Sequence, residues 1–398
     1  MTSLIGRAKA VGPFSLALFL TLGACTGDEA VDVTSPALEP TAAAARVVGP
    51  ASIQGEIGPG SLYELFVPAD WNGDLVLYAH GYRAPRAPIA LPRGGVEGLK
   101  DALLSMGYGV AWSSYSENGY AVRDGVIRTR QLRGIFASKV GKPDRTYIIG
   151  HSLGGMVTLM SAEKNPGLYD GAMPMCSFLG GGPLEVDYIQ DVRVLFDYFF
   201  PDVVPGDAMN IPEGLDFGTQ VIPAVIQAVS ANFPAALELA AVDQIDLPYT
   251  NPAELINSIL STLFFNVVGT EDFDARIHRP YYSNTGRMYT GSSNDEALNA
   301  GVDRFESSPA GDNYLKHWYE PDGKLDIPVL SLHTSMDAVV PLFHEPAYAE
   351  IVAAAGRSDM LVQRTVNRYG HCAFTGAEQI GAFLDLVTWV ETGVAPTP

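Results

Sequence analysis

Arg145-Thr146-Tyr147-Ile148-Ile149-Gly150-His151-Ser152-Leu153-Gly154-Gly155 is the stretch from which the fold can be read. An apolar, strand-like run drives into a G-x-S-x-G turn, and the residues after it open a helix-like segment. A sharp strand-to-helix turn of this kind strains the backbone of the serine and crowds the positions two residues to either side. Gly150 and Gly154 are therefore steric requirements. The turn also aims the hydroxyl outward at a helix N-terminus, where backbone N–H groups can stabilise a developing oxyanion. Ser152 is the candidate nucleophile. A glycine-rich turn without chemistry has the same spelling, so partners for the serine must be found elsewhere in the chain.

The C-terminal third supplies them. Residues 327–334 read as a buried strand, and the turn that follows carries Asp337 at its tip. A helix-like stretch from His344 to Ala355 comes next, then the β-branched-rich run 361–366. Tyr369-Gly370-His371-Cys372 stands ahead of a last amphipathic helix from Ala377 to Val390. Asp337 is the candidate acid and His371 the candidate base. Asp326 and Asp359 precede their strands and fall at the wrong edge of an open α/β sheet, whose sites gather at the carboxyl ends of strands. His278, His317, His333 and His344 are expected in structural or surface roles, and His151 reads as a packing residue that points away from the elbow tip. Near the N-terminus, the run 74–79 ends in His80-Gly81-Tyr82-Arg83. A loop at that place supplies one oxyanion donor, the N–H of Tyr82, and the residue after the nucleophile, Leu153, supplies the other. Arg83, Glu117 and Asn118 read as rim residues.

The order serine, acid, histidine resembles that of the alpha/beta-hydrolase superfamily, over about Leu62 to Val390 with a central interruption. Within that span Gly107 to Tyr120, the elbow, and Tyr169 to Cys176 are similar to bacterial secreted esterases and prolyl-peptidase-like hydrolases. The resemblance implies a mostly parallel central sheet flanked by helices, and hydrolysis of carboxylic esters or amides through an acyl-enzyme. In that chemistry Ser152 attacks, His371 accepts its proton and Asp337 orients the imidazole. Neither a metal nor an organic cofactor is called for. In tannase and feruloyl esterase relatives, a cysteine just before the serine bridges to one just after the histidine. Here Cys372 follows His371, but His151 precedes Ser152, a departure from that subfamily. Cys176, at the end of the strand after the elbow helix, belongs to the same rim. A Cys176–Cys372 disulfide and a pair of buried free thiols both stay open.

Residues 1–24 place Arg7 and Lys9 before an apolar run and a small-residue cleavage site that ends at Cys25. This looks like a bacterial lipobox, which implies cleavage before Cys25 and a diacylglycerol on its sulfur. An ordinary signal peptide with a coincidental cysteine is the alternative. The apolar run is well below the roughly twenty residues that span a bilayer. Residues 25–46 turn to alanine, proline, threonine and acidic residues without apolar periodicity, the composition of a disordered tether.

Hydrophobic residues make up 47% and charged ones 18% of the chain, enough for a sizeable core. The hydrolase domain is expected in two parts, 47–180 and 326–398, interrupted by a mainly helical cap at 181–325, too long for a plain loop. The cap aromatics are expected mostly to form the cap's own core. A formal net charge of −20 argues against nucleic acid as a partner and against electrostatic attraction to anionic lipid, so the lipid anchor is the expected membrane contact. A small-molecule or polymeric ester is the expected substrate. A serine peptidase is the alternative, with Glu271, Asp272 and Asp274 as amine-recognising carboxylates, and a non-catalytic binding lipoprotein is the remaining one.

Overall fold

Gly58 and Gly60, both at positive φ, turn the chain between its first two strands. From that hairpin onward, the computed structural model describes residues 49–397; segments 1–24 and 25–46, with Cys25, lie outside the described residues. The N-terminal part runs β1 (Ala51–Ile57), β2 (Ser61–Val67), β3 (Leu75–Ala79), α1 (Gly95–Ser105), β4 (Gly109–Ser113) and α2 (Val122–Lys139). It continues through β5 (Thr146–His151), α3 (Leu153–Lys164) and β6 (Gly171–Met175). The strands form one sheet in the order β1-β2-β4-β3-β5-β6, which β7 (Val329–Met336) and β8 (Leu361–Tyr369) complete. Only the β1–β2 and β2–β4 pairs are antiparallel. This is the alpha/beta-hydrolase fold.

Residue alternation sorts the core onto the two faces. Leu75, Leu77 and Ala79 of β3 pack with α2 and α3, whereas Val76 and Tyr78 face the opposite core, which holds Leu99 and Leu103 of α1. Central parallel strands covered on both faces read as continuous apolar runs, which is why β3, β4 and β6 are buried at every position.

Between β6 and β7 the described residues form six helices: α4 (Gly182–Phe199), α5 (Ile222–Ala231), α6 (Phe233–Ala240), α7 (Pro252–Ile277), α8 (Asp295–Gly301) and α9 (Pro309–Tyr319). α7 runs for 26 residues. Asn251 caps its first turn with Pro252 behind it, and it stops only at His278, a left-handed residue with φ 52°. Leu255, Ile259, Leu263 and Val267 recur at four-residue spacing and are buried. The polar turn beyond them grips the hydrolase loops. Arg193 of α4 is fully buried and answered by Asp197, Asn266 and the Val204 carbonyl. The cap thus holds a closed polar network within its apolar core.

After β7 come α10 (His344–Ala354), β8 and α11 (Gly376–Thr392). α11 begins with a capping box of Thr375 and Glu378 and ends at Gly393 in the left-handed region.

Candidate active site

Ser152 stands between β5 and α3 with φ 56° and ψ −124°. A non-glycine residue rarely tolerates such a φ, and the strain persists because both flanks are locked. A methyl on Gly150 would come within 2.3 Å of the Gly154 carbonyl, and one on Gly154 within 2.1 Å of the Ala79 carbonyl. We expect Gly154→Ala to destabilise the fold by about 3 kcal/mol, because the obstruction is β3 backbone and not a flexible side chain. Denaturant unfolding of the two proteins checks this, and an unchanged midpoint would refute the steric account.

The loop after β3 lies over the serine. A Cβ on Gly81 would sit 3.4 Å from Ser152 Cβ and 3.9 Å from its Oγ. The Tyr82 N–H donates to no protein acceptor among the described residues, and Leu153 is the first residue of α3, where N–H groups have no intrahelical acceptor. The Tyr82 ring is held between Tyr120 and Phe265, at 5.1 and 5.3 Å between centroids. His80 stacks on Tyr115 at 3.8 Å, and burial lowers its pKa to about 4.

Asp337 is buried beyond the end of β7. Its Oδ1 accepts the N–H groups of Val339 and Val340 at 2.9 and 3.0 Å, and its Oδ2 lies 2.7 Å from His371 Nδ1. Burial acts to raise its pKa, but the His371 charge and hydrogen bond, His333 and the Val340 N–H outweigh it, so the carboxyl is held below its ordinary range. The Nδ1 proton therefore belongs to the bond with Asp337, and Nε2 is left as the basic nitrogen. The Ser152 N–H donates to Met175 O at 2.9 Å, next to Cys176, and a ring nitrogen of His371 lies within 4.8 Å of the Cys176 sulfur. Serine and histidine thus share one rim. Ser152 Oγ makes no hydrogen bond to His371 among the described residues; catalytic bonds of this kind often tighten only around substrate.

Cys176 and Cys372 form a disulfide, with the sulfurs 1.93 Å apart. These sulfurs lie close to His371, but thiols joined to each other are not available to a metal. His151, in place of the cysteine that precedes the serine in tannase relatives, joins Tyr78 at 3.2 Å through Nδ1 and Gln379 at 3.1 Å through Nε2. Burial depresses its pKa to about 4, so it is a neutral strut between β3 and α11.

The cap fastens this rim at several points that sequence reasoning did not find. The Ala338 carbonyl, next to Asp337, accepts the hydroxyls of Tyr188 on α4 and Thr262 on α7, at 2.6 and 2.9 Å. Tyr369, two residues before His371, donates to Glu254 O at 2.9 Å. Asp272 accepts the Tyr120 N–H at 2.7 Å and the Arg276 guanidinium at 2.9 Å, while Arg276 also reaches Asn118 O. Arg86 pairs with Glu271. Asp272 is buried and fully engaged, so it is a latch between cap and rim and not a carboxylate awaiting a substrate amine. Cap–rim partners 76 to 185 residues apart leave no trace in local spacing.

The chain is 22% identical over 411 residues to the o-phthalyl amidase of Xanthobacter agilis, the alignment covering 86% of this chain and 88% of that protein. In three dimensions it is similar to feruloyl esterase B from Aspergillus oryzae, with TM-score 0.51 and 15% identity over 87% of this chain and 81% of that one, a likeness of fold. The departure at His151 does not place the chain outside tannase-like proteins. One family pattern spans residues 62–301, more than half of the sequence, including the elbow, the Gly81 loop and most of the cap. The chain belongs to the tannase-like family of unknown function (DUF6351).

Proposed function

We propose that this protein is a serine hydrolase that cleaves carboxylic esters through an acyl-enzyme. The observation that carries the reading is the strained Ser152 at the head of α3, beneath the Gly81 loop and on the same rim as a bonded His371–Asp337 pair. Strain of this kind is costly and is characteristic of functional sites, which favours catalysis over a binding module that reuses the fold. Ser152 Oγ attacks the carbonyl while His371 Nε2 takes its proton. The N–H groups of Tyr82 and Leu153 hold the oxyanion, and the alcohol departs with the proton from His371. Water then repeats the sequence on the acyl-enzyme and releases the acid.

A second reading is hydrolysis of amides of aromatic acids, favoured by the sequence likeness to the o-phthalyl amidase. Of the three carboxylates that a peptidase could turn toward a substrate amine, Asp272 is engaged by Tyr120 and Arg276 and Glu271 pairs with Arg86, which leaves Asp274 for that role. Initial rates of the protein from Thr26 onward on p-nitrophenyl esters of graded acyl length, against anilides of the same acids, separate the two. We expect esters to be hydrolysed faster at every length, and an anilide preferred over its ester would overturn the ester reading. Labelling of Ser152 by a fluorophosphonate tests the serine mechanism itself. We further propose that the enzyme is exported and tethered to the cell envelope through a lipid on Cys25. Mass spectrometry of the N-terminal peptide from membranes tests this, and an unmodified Cys25 refutes it.

A further inference from the structure

Behind Asp337 lies a second buried pair that the proposed chemistry does not use. His333, inside β7, is 0% exposed, and Glu345, in the first turn of α10, is 5% exposed. His333 Nε2 is 2.8 Å from the Val340 carbonyl, which can only accept, so Nε2 carries a proton. His333 Nδ1 is 3.1 Å from Glu345 Oε1. The other oxygen of Glu345 accepts from the Ser331 hydroxyl and the Gln363 amide, each at 2.6 Å. His333 Nε2 also lies 3.8 Å from Asp337 Oδ2, the oxygen that accepts from His371. The acid of the candidate triad thus sits between two imidazoles, one facing the serine rim and one facing the core.

The surroundings of His333 decide its charge. Burial opposes the imidazolium, but the hydrogen bond and charge of Glu345, then Asp337 and the Val340 carbonyl, outweigh it and raise the pKa. The other titratable neighbours are His371 beyond Asp337, and the His344–Glu185 pair joining α10 to α4, 2.9 Å apart. Burial drives Glu185 well up and His344 well down, so that pair is neutral and adds no net charge.

Resting on the Ser152–His371–Asp337 reading, we infer that His333 is a positioning residue for the relay. With an oxygen acceptor at each ring nitrogen, Glu345 at Nδ1 and Val340 at Nε2, it is set to carry a proton on both, fixes the 337–340 turn through Val340 and shares the Asp337 carboxylate with His371. The turn closes a ring: His333 holds the Val340 carbonyl, and the Val340 N–H holds Asp337 Oδ1. Without the His333 charge, the field of Asp337 would fall on His371 alone, and the base would keep its proton to higher pH.

The test is His333→Gln, which retains a donor for Val340 but removes the charge. The acid limb of the pH profile for ester kcat/KM, and for fluorophosphonate labelling, is expected to move up by about one pH unit. The low-field proton resonance of the His371–Asp337 hydrogen bond is expected to move downfield. Glu345→Gln, which takes away the counter-charge that keeps His333 protonated, should move both in the same direction and by less. It carries the test alone if His333→Gln does not fold. A purely structural role would lower stability and rate while leaving limb and resonance in place, and that result overturns the inference. If wild-type Ser152 is not labelled, the hydrolase reading fails; the resonance still reports whether His333 acts on the Asp337–His371 bond.

Discussion

Ser152→Ala is expected to lower kcat on the preferred ester by about 10⁶-fold, close to 8 kcal/mol of transition-state stabilisation, with KM little changed. The size follows from what remains. Without Oγ no acyl-enzyme forms, so His371 and Asp337 have no proton to move, and only the Tyr82 and Leu153 N–H groups still act on a carbonyl attacked directly by water. Such a remnant is worth about 10³–10⁴ over the uncatalysed reaction. The substitution leaves the fold intact, because alanine meets the same positive φ as serine and the locks on either side, Gly150 and Gly154, are untouched. Steady-state kinetics on a p-nitrophenyl ester with matched circular dichroism spectra decide the matter. A variant that keeps a tenth of the wild-type rate would show that Ser152 is not the nucleophile, whatever its backbone strain. The same comparison for His371→Ala should give nearly the same loss, since residues that act as one unit are not additive.

The elbow and the places of the candidate acid and base were legible because each sits where backbone geometry restricts the choice of residue. Gly150 and Gly154 are spelled by steric contact, and Asp337 and His371 follow strands whose apolar runs are visible in the sequence. The environment of those residues was not legible. His333 reads as the one ionisable residue inside a buried strand, which signals a buried partner without naming it; Glu345 reaches it only because α10 folds back over β7. Asp272 looked like a free acid beside Glu271 and Asp274, yet its partner is the N–H of Tyr120, 152 residues away. The cysteines fall between these cases. Cys176 and Cys372 are placed at the rim by the strands before them, but β7 lies between those strands in the sheet, and side-chain direction at two turns settles whether they meet.

That disulfide leads to the largest stability effect we expect. Cys176 and Cys372 are 196 residues apart and enclose the whole cap and β7, so joining them removes much of the conformational freedom of the unfolded chain, worth about 5 kcal/mol in the chain-entropy account. Cys372→Ser, or full reduction, should therefore shift the denaturant midpoint down by a loss of about 3–5 kcal/mol. Activity should fall as well, for a local reason. His371 lies between Gly370 at φ 109° and Cys372 at φ 53°, conformations that a free loop would leave. With the bridge gone, its loop keeps the Gly370 N–H bond to Met336 O, the Thr334 hydroxyl bond to Gly370 O, and the Asp337 bond. Those hold one side of His371, while on the other the Phe374 N–H bond to Cys372 O and the Arg368 guanidinium bond to Ala373 O tie the loop only to itself and to the end of β8. Displacement of a catalytic group by about 1 Å costs about 10²-fold in rate. Unfolding curves and kcat of oxidised and reduced enzyme, with free thiols counted in each, measure both effects. If reduction lowers stability but spares kcat, His371 is held by Asp337 and β7 alone and the bridge serves only the fold. If it spares both, the native contacts of the rim outweigh the covalent link, and neither the entropic nor the positioning argument applies to it.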